Sequence, residues 1–206
     1  MLPTNINWWP SLLAANPLQF KEELEKIRKM GISGVHLDIM DGHFVPNISF
    51  GPAVVRAVAQ NYPELFCDVH LMLSNPEDFI QVFVESGAQS ITIHAEIATT
   101  SLRTSLELLQ KYAIPYGLAI NPETPLNTLT PLLGNPPHHV LVMSVHPGFS
   151  GQAFIPETYQ RIQSLRQHYP KLTMYLDGGI NTEIAQKFLP LGVKDFVVGA
   201  SFFRKK

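Results

Sequence analysis

Short runs of apolar and β-branched residues recur along the chain at 7–13, 34–39, 66–71, 90–94, 116–120, 140–145, 173–176 and 195–198. Each is long enough for one strand. The stretches between them, 18–30, 52–60, 76–86, 101–112, 126–133, 156–168 and 182–189, read as helices with one buried face. Start signals such as Asn75-Pro76-Glu77 and Asn181-Thr182-Glu183, and stops near Gly31, Gly87 and Gly192, support that division. The strand runs are continuously apolar rather than strictly alternating, as expected when both faces of a parallel sheet are covered. Eight such strands in β-α alternation, with no linker, predict an α/β fold, a (β/α)8 TIM barrel in one domain spanning 1–206. A doubly wound parallel sheet is the alternative. Only 199–206 follow the last strand, so the eighth helix is truncated.

Polar residues break the apolar runs where a barrel would be functional, at the C-terminal ends of its strands. In His36-Leu37-Asp38-Ile39 the imidazole and the carboxylate share one face, while Val35, Leu37 and Ile39 share the other. Such a pair is costly unless it is hydrogen-bonded or bound to a metal. Ser11, His70, His94, Asn121, Ser144, His146 and Asp177 occupy similar positions. Two histidines and two aspartates at one barrel mouth suit a divalent cation. Asp38 and Asp177, on well-separated strands, could remove and return a proton on opposite sides of a substrate. The alternative is that each orients a neighbouring histidine or caps a turn.

Glycine-rich segments follow the last three strands: Gly148-Phe149-Ser150-Gly151, Gly178-Gly179 and Gly199-Ala200-Ser201. Their backbone can approach an anion closely, which favours a phosphate pocket. Met40, Met72 and Met143 are expected to fill the mouth with apolar side chains. Cys67 is expected to point outward under a helix and be inert, with Trp8 and Trp9 as core and rim residues of the first strand. His138 and His139 are expected in a Pro-rich loop, and His168 at a helix end, without function.

Composition narrows the classes further. A net charge of -2 gives no pull toward nucleic acid or an anionic membrane. One cysteine excludes an internal disulfide and a cysteine-based zinc cluster, consistent with a reducing compartment. The N-terminus carries no secretion-type segment and no apolar run reaches membrane-spanning length, so a cytoplasmic protein with no membrane partner is expected. No Gly-x-Gly-x-x-Gly turn calls for a dinucleotide cofactor.

Pro10-Ser11-Leu12-Leu13, His36-Leu37-Asp38-Ile39-Met40-Asp41-Gly42-His43-Phe44-Val45-Pro46-Asn47 and Asp68-Val69-His70-Leu71-Met72 resemble the ribulose-phosphate 3-epimerase family. So do Asn121-Pro122-Glu123-Thr124-Pro125, Met143-Ser144-Val145-His146-Pro147-Gly148-Phe149-Ser150-Gly151-Gln152, Leu176-Asp177-Gly178-Gly179-Ile180 and Val198-Gly199-Ala200-Ser201. These motifs follow the family's order across nearly the whole chain.

The resemblance implies a metal-dependent isomerase that interconverts D-ribulose 5-phosphate and D-xylulose 5-phosphate, a step of the pentose phosphate pathway. The implied ligands of one divalent ion (Zn, Mn, Fe or Co) are His36, Asp38, His70 and Asp177, with Asp38 and Asp177 as the acid/base pair. Substrate contacts are implied for Ser11, His70 and Asp177, and phosphate contacts for Gly148, Phe149, Ser150, Gly151, Gly178, Gly179, Gly199 and Ala200. A sister 3-epimerase acting on D-allulose 6-phosphate, or a non-catalytic sugar-phosphate-binding barrel, are the alternatives. The chain departs from the family at Ala14-Ala15-Asn16-Pro17, His146, Ser150 and Ala200-Ser201. A homo-oligomer is expected, the groove beside the short eighth helix being filled by a partner subunit or by neighbouring helices.

Overall fold

The computed structural model describes residues 5–134 and 136–203. Strands β1 (Asn7–Pro10), β2 (Gly34–Met40), β3 (Phe66–Met72), β4 (Ser90–His94), β5 (Tyr116–Ile120), β6 (His139–Met143), β7 (Met174–Asp177) and β8 (Asp195–Val198) form one parallel sheet ordered β1-β8-β7-β6-β5-β4-β3-β2. Helices α1 (Phe20–Lys29), α2 (Pro52–Asn61), α3 (Ile80–Glu85), α4 (Thr99–Lys111), α5 (Thr158–His168), α6 (Thr182–Phe188) and α7 (Ala200–Phe203) accompany it. The sheet curls until β1 meets β2 through a single parallel bridge, Ser11 to His36. This is the nearly closed (β/α)8 barrel expected from the hydrophobic pattern.

The two faces of each strand do different work. Val35, Leu37, Ile39, Cys67, Val69 and Leu71 pack in the main core with helix residues such as Val55, Val58, Ile80 and Phe83. Burying one such side chain fully contributes about 1.5–3 kcal/mol. Cys67 is thus buried as expected, and burial pushes its thiol up to about 11. A separate cluster of Ala119, Leu141, Met143, Tyr175 and Val197, joined by Trp9, fills the barrel interior. Trp9 stacks on Tyr175, and Tyr175 stacks on His139 at 4.1 Å between ring centres.

Three local expectations are corrected. The run at 7–13 does not stay a strand beyond Pro10, because the Ser11 side chain accepts from Leu13 N–H and caps a 3₁₀ turn, Leu12–Ala14. The predicted helix at 126–133 is only a 3₁₀ turn, Leu126–Leu129, since Pro131 cannot donate the next helical hydrogen bond. His139 is not a loop residue but the first residue of β6, 1% exposed inside the barrel.

After β8, α7 spans one turn among the described residues, and the Lys26 ammonium of α1 lies 5.0 Å from the Phe202 ring centre. Among the described residues, no helix is long and apolar enough to cross a membrane.

Candidate active site

At the C-terminal mouth of the barrel, β2 contributes His36 and Asp38, β3 contributes His70, and β7 ends at Asp177. Each offers one ligand atom, and the four atoms lie within 4.8 Å of one another. His36 Nε2 is 3.3 Å and His70 Nδ1 is 3.0 Å from Asp38 Oδ1, and both nitrogens are 3.9 Å from Asp177 Oδ2. A tetrahedron with bonds of about 2.0–2.1 Å has edges of roughly 3.3 Å, so the cluster is close to the size a small divalent ion requires. His36 Nε2 is buried and has no hydrogen-bond partner, although its ring faces three other potential ligands. An unpartnered nitrogen in that position fits a metal ligand, and the four residues could hold one ion.

The supporting contacts are as specific as the cluster. His36 Nδ1 lies 2.8 Å from Asp68 Oδ2, a carboxylate that only accepts. The proton therefore sits on Nδ1, and Nε2 is left toward the cluster. The Ser11 hydroxyl donates to Asp38 Oδ2 at 2.5 Å across the β1/β2 seam. His70 Nε2 meets His94 Nε2 at 2.9 Å, and His94 Nδ1 meets Glu96 Oε2 at 2.9 Å.

Burial opposes charge on every member, but the neighbours decide the outcome. The Asp38 carboxyl is desolvated, yet His36 and His70 hold it well below its ordinary range. Burial and then the Asp38 charge push Asp177 up to about 7. His36 is raised despite burial by Asp38 and Asp68, whereas burial lowers His70 and takes His94 down to about 4. Two carboxyl groups with separated proton affinities are the pattern of an acid/base pair.

Above the cluster lies a cavity of about 220 Å³ lined by Ser11, Asp38, Asp177, Gly148–Gly151, Gly178, Gly179, Gly199 and Ala200. Met40, Met72 and Met143 supply apolar lining, as expected. His36 and His70 are wholly buried beneath it. Gly178 and Gly179 adopt φ of +116° and +65°; a Cβ there would lie 2.4 Å from Val145 Cγ2 or 2.5 Å from Phe154 N. Only glycine lets the chain turn so tightly against the cavity wall. Asn47 donates to Gly148 O at 2.7 Å, which ties the loop after β2 to the loop after β6.

A sequence model described as the Ribulose-phosphate 3 epimerase family matches residues 7–203. A ribulose-phosphate 3-epimerase of Chlamydia trachomatis serovar D is 40% identical, the match covering 96% of this chain and 85% of the relative. One from Bacillus subtilis is 34% identical over 94% of this chain and 90% of its own, and the cytoplasmic isoform of Oryza sativa subsp. japonica 33% identical over 94% and 86%. This chain belongs to the ribulose-phosphate 3-epimerase family. Among solved structures, 3-hexulose-6-phosphate synthase from Salmonella typhimurium superposes with a TM-score of 0.68 at 14% identity, covering 95% of this chain and 90% of that one. That likeness concerns the fold alone.

Within the epimerase family frame, the residues singled out from sequence divide cleanly. His36, Asp38, His70 and Asp177 converge, and Ser11 joins them through Asp38. Ser144 supports the site from behind, donating to the carbonyls of Asp177 and Gly178. His146 does not line the cavity; it is exposed and pairs with Glu123 at 3.3 Å. Sequence reading missed Asp68 and Glu96. The available signal was spacing: each lies two residues from a histidine on its strand or strand end, the separation that puts side chains on one face.

Proposed function

We propose that the chain interconverts D-ribulose 5-phosphate and D-xylulose 5-phosphate by moving one proton at C3. The observation that carries this reading is the approach of Asp38 and Asp177, from β2 and β7, to one atom cluster at the floor of a glycine-walled cavity. Membership in the epimerase family and the names of the relatives support the same substrate.

In this reading His36 Nε2, Asp38 Oδ1, His70 Nδ1 and Asp177 Oδ2 would hold one divalent ion, Zn, Mn, Fe or Co, as a mixed imidazole and carboxylate set suits. When bound, the ion supplies positive charge that stabilises the negative charge developing on the C2 and C3 oxygens. Asp38 takes the C3 proton from one face, and Asp177 delivers a proton to the other, which inverts the centre. Ser11 holds Asp38 in place through its hydroxyl. Backbone at Gly148, Phe149, Ser150, Gly151, Gly178, Gly179, Gly199 and Ala200 receives the phosphate. Met40, Met72 and Met143 exclude water, which strengthens electrostatic interactions inside the cavity. In the same reading the protein acts as one catalytic domain, in the cytoplasm, as a homo-oligomer.

The test is proton exchange followed by NMR in D2O, with five- and six-carbon ketose phosphates. Wild type should incorporate deuterium at C3 while epimerising the five-carbon substrate. Asp177→Asn should lose epimerisation by about a thousandfold or more, the scale of a proton-transfer group that also holds a metal. Near-wild-type turnover in that variant, or a clear six-carbon preference, would overturn the proposal.

A further inference from the structure

The two candidate histidine ligands point different nitrogens at the cluster, and each has its own support. His36 faces it with Nε2, and its Nδ1 bonds directly to the Asp68 carboxylate. His70 faces it with Nδ1, 3.0 Å from Asp38 Oδ1, and its Nε2 meets no carboxylate but a second imidazole. We propose that Glu96 and His94 are positioning residues, a relay that locks His70 in the tautomer able to bind a metal ion through Nδ1. This rests on the metal-site reading given above.

The argument is one of donors and acceptors. His70 Nε2 and His94 Nε2 are 2.9 Å apart, so one must carry the hydrogen and the other must accept it. The remaining nitrogen of His94, Nδ1, lies 2.9 Å from Glu96 Oε2, and an ionised carboxylate accepts only. Hydrogen therefore sits on His94 Nδ1, which leaves its Nε2 bare. His70 must donate from Nε2, so Nδ1 is the nitrogen free to give a lone pair to an ion, which then replaces any hydrogen shared with Asp38 Oδ1 at 3.0 Å. The opposite arrangement would put a hydrogen on Nδ1, between His70 and Asp38, where an ion has to sit.

The far end of the relay is anchored in another element. Glu96 also accepts from Asn121 N–H at 2.7 Å and from the Thr124 hydroxyl, both in the loop after β5. Two further donors on Oε1 keep that carboxylate an acceptor and fix its orientation. Both imidazoles are fully buried, and the Phe44 ring packs on His94 with centres 4.7 Å apart, so neither ring turns over freely. The relay thus runs from the β5 loop through β4 to the β3 ligand, and it fixes the hydrogen on His70 Nε2 before any ion arrives.

Two variants perturb the relay differently. His94→Phe keeps the ring and its packing but removes the acceptor. Glu96→Gln can turn its amide N–H toward His94 Nδ1 while its oxygen still serves Asn121 and Thr124, and this reverses the chain of donors. ¹⁵N NMR of imidazole-labelled, chelator-stripped protein should show wild-type His70 protonated at Nε2, with that preference lost in His94→Phe and inverted in Glu96→Gln. Titration with Co²⁺, read from its visible absorption, should give affinities about 10- to 100-fold weaker in both variants. His94→Gln, whose amide oxygen can accept from His70, should recover most of that loss.

Wild-type His70 without a hydrogen on Nε2, or a folded variant binding Co²⁺ within twofold of wild type, would overturn the relay. A wild type that binds no Co²⁺ would instead sink the metal-site reading and the relay's purpose with it. The tautomer measurement needs neither metal nor turnover, so failure of the relay is distinguishable from failure of the proposed epimerisation.

Discussion

Consider replacing His139 with glutamine. The imidazole sits at the start of β6, 1% exposed, stacked on Tyr175 and with Nε2 3.0 Å from Thr92 Oγ1. Its Nδ1 has no hydrogen-bond partner. Burial pushes its pKa down from the usual 6.5 to about 4, against the pull of the Asp68 charge. Between those values the unfolded chain binds a proton that the folded chain refuses. The stability associated with neutral His139 is therefore fully present above pH 6.5 and is lost as pH falls toward 4. Integrating from pH 7.5 to pH 5, at about 1.36 kcal/mol per unit, gives a loss of about 2 kcal/mol.

Glutamine can retain the bond to Thr92 but does not titrate. Urea unfolding of chelator-treated protein should find the variant less stable at pH 7.5 by about 0.5–1.5 kcal/mol, the worth of the lost ring stacking. At pH 5 that gap should close or change sign, because wild type alone carries the extra loss. Groups not coupled to His139, including His94 and Asp177, bend both curves alike and cancel in the difference. A gap equal at the two pH values would refute the claim that the barrel interior holds His139 neutral.

Four further outcomes rest on the site. Ser11→Ala removes a buried donor to Asp38 and the cap on Leu13 N–H, and should cost about 1–3 kcal/mol in denaturant melts while lowering turnover about tenfold. Gly178→Ala would force a Cβ to within 2.4 Å of Val145 at a left-handed φ, so thermal melting should show a loss of about 2 kcal/mol or more, with KM for the sugar phosphate rising further than kcat falls. A divalent ion at a hundred times its Kd should raise unfolding free energy by about 2.7 kcal/mol, and chelation should reverse this. Because imidazole and carboxylate ligands must shed protons to bind, Kd measured by competition with a chelator should be tighter at pH 8 than at pH 6.

What could be read from the chain depended on which side of the barrel wall a residue faces. Val35, Leu37 and Ile39, or Cys67, Val69 and Leu71, lean against helices whose own periodicity repeats the message, so the strands and their alternation with helices were legible. His36, Asp38, His70 and Asp177 were legible for the opposite reason, as polar residues within or at the ends of largely apolar runs. The barrel interior carries no such redundancy. His139 follows Pro136-Pro137-His138, which resembles a loop, and only pairing of β6 with β5, register Gly117 to His139, draws it into the wall. Gly117 is what admits it: a Cβ there would lie 2.3 Å from His139 Nε2, and a glycine five residues from a helix end announces no such partner.

The same blindness covers the contacts that matter most to the candidate metal site. Asp68 and Glu96 reach the cluster only through His36 and through His94 and His70, across neighbouring strands. Local spacing can place a carboxylate near a histidine on its own strand; it cannot say that the histidine one strand over receives the hydrogen bond. Along the barrel wall, strands adjacent in sequence are also adjacent in space, and these two cross-strand partners are one βα unit apart, as Asp68 is from His36 and His94 from His70. A polar residue on an inward position of one strand is therefore best sought against the inward polar residue of the strand before it, a rule that pairs Asp68 with His36 and His94 with His70 and leaves Glu96 to be found two residues beyond His94.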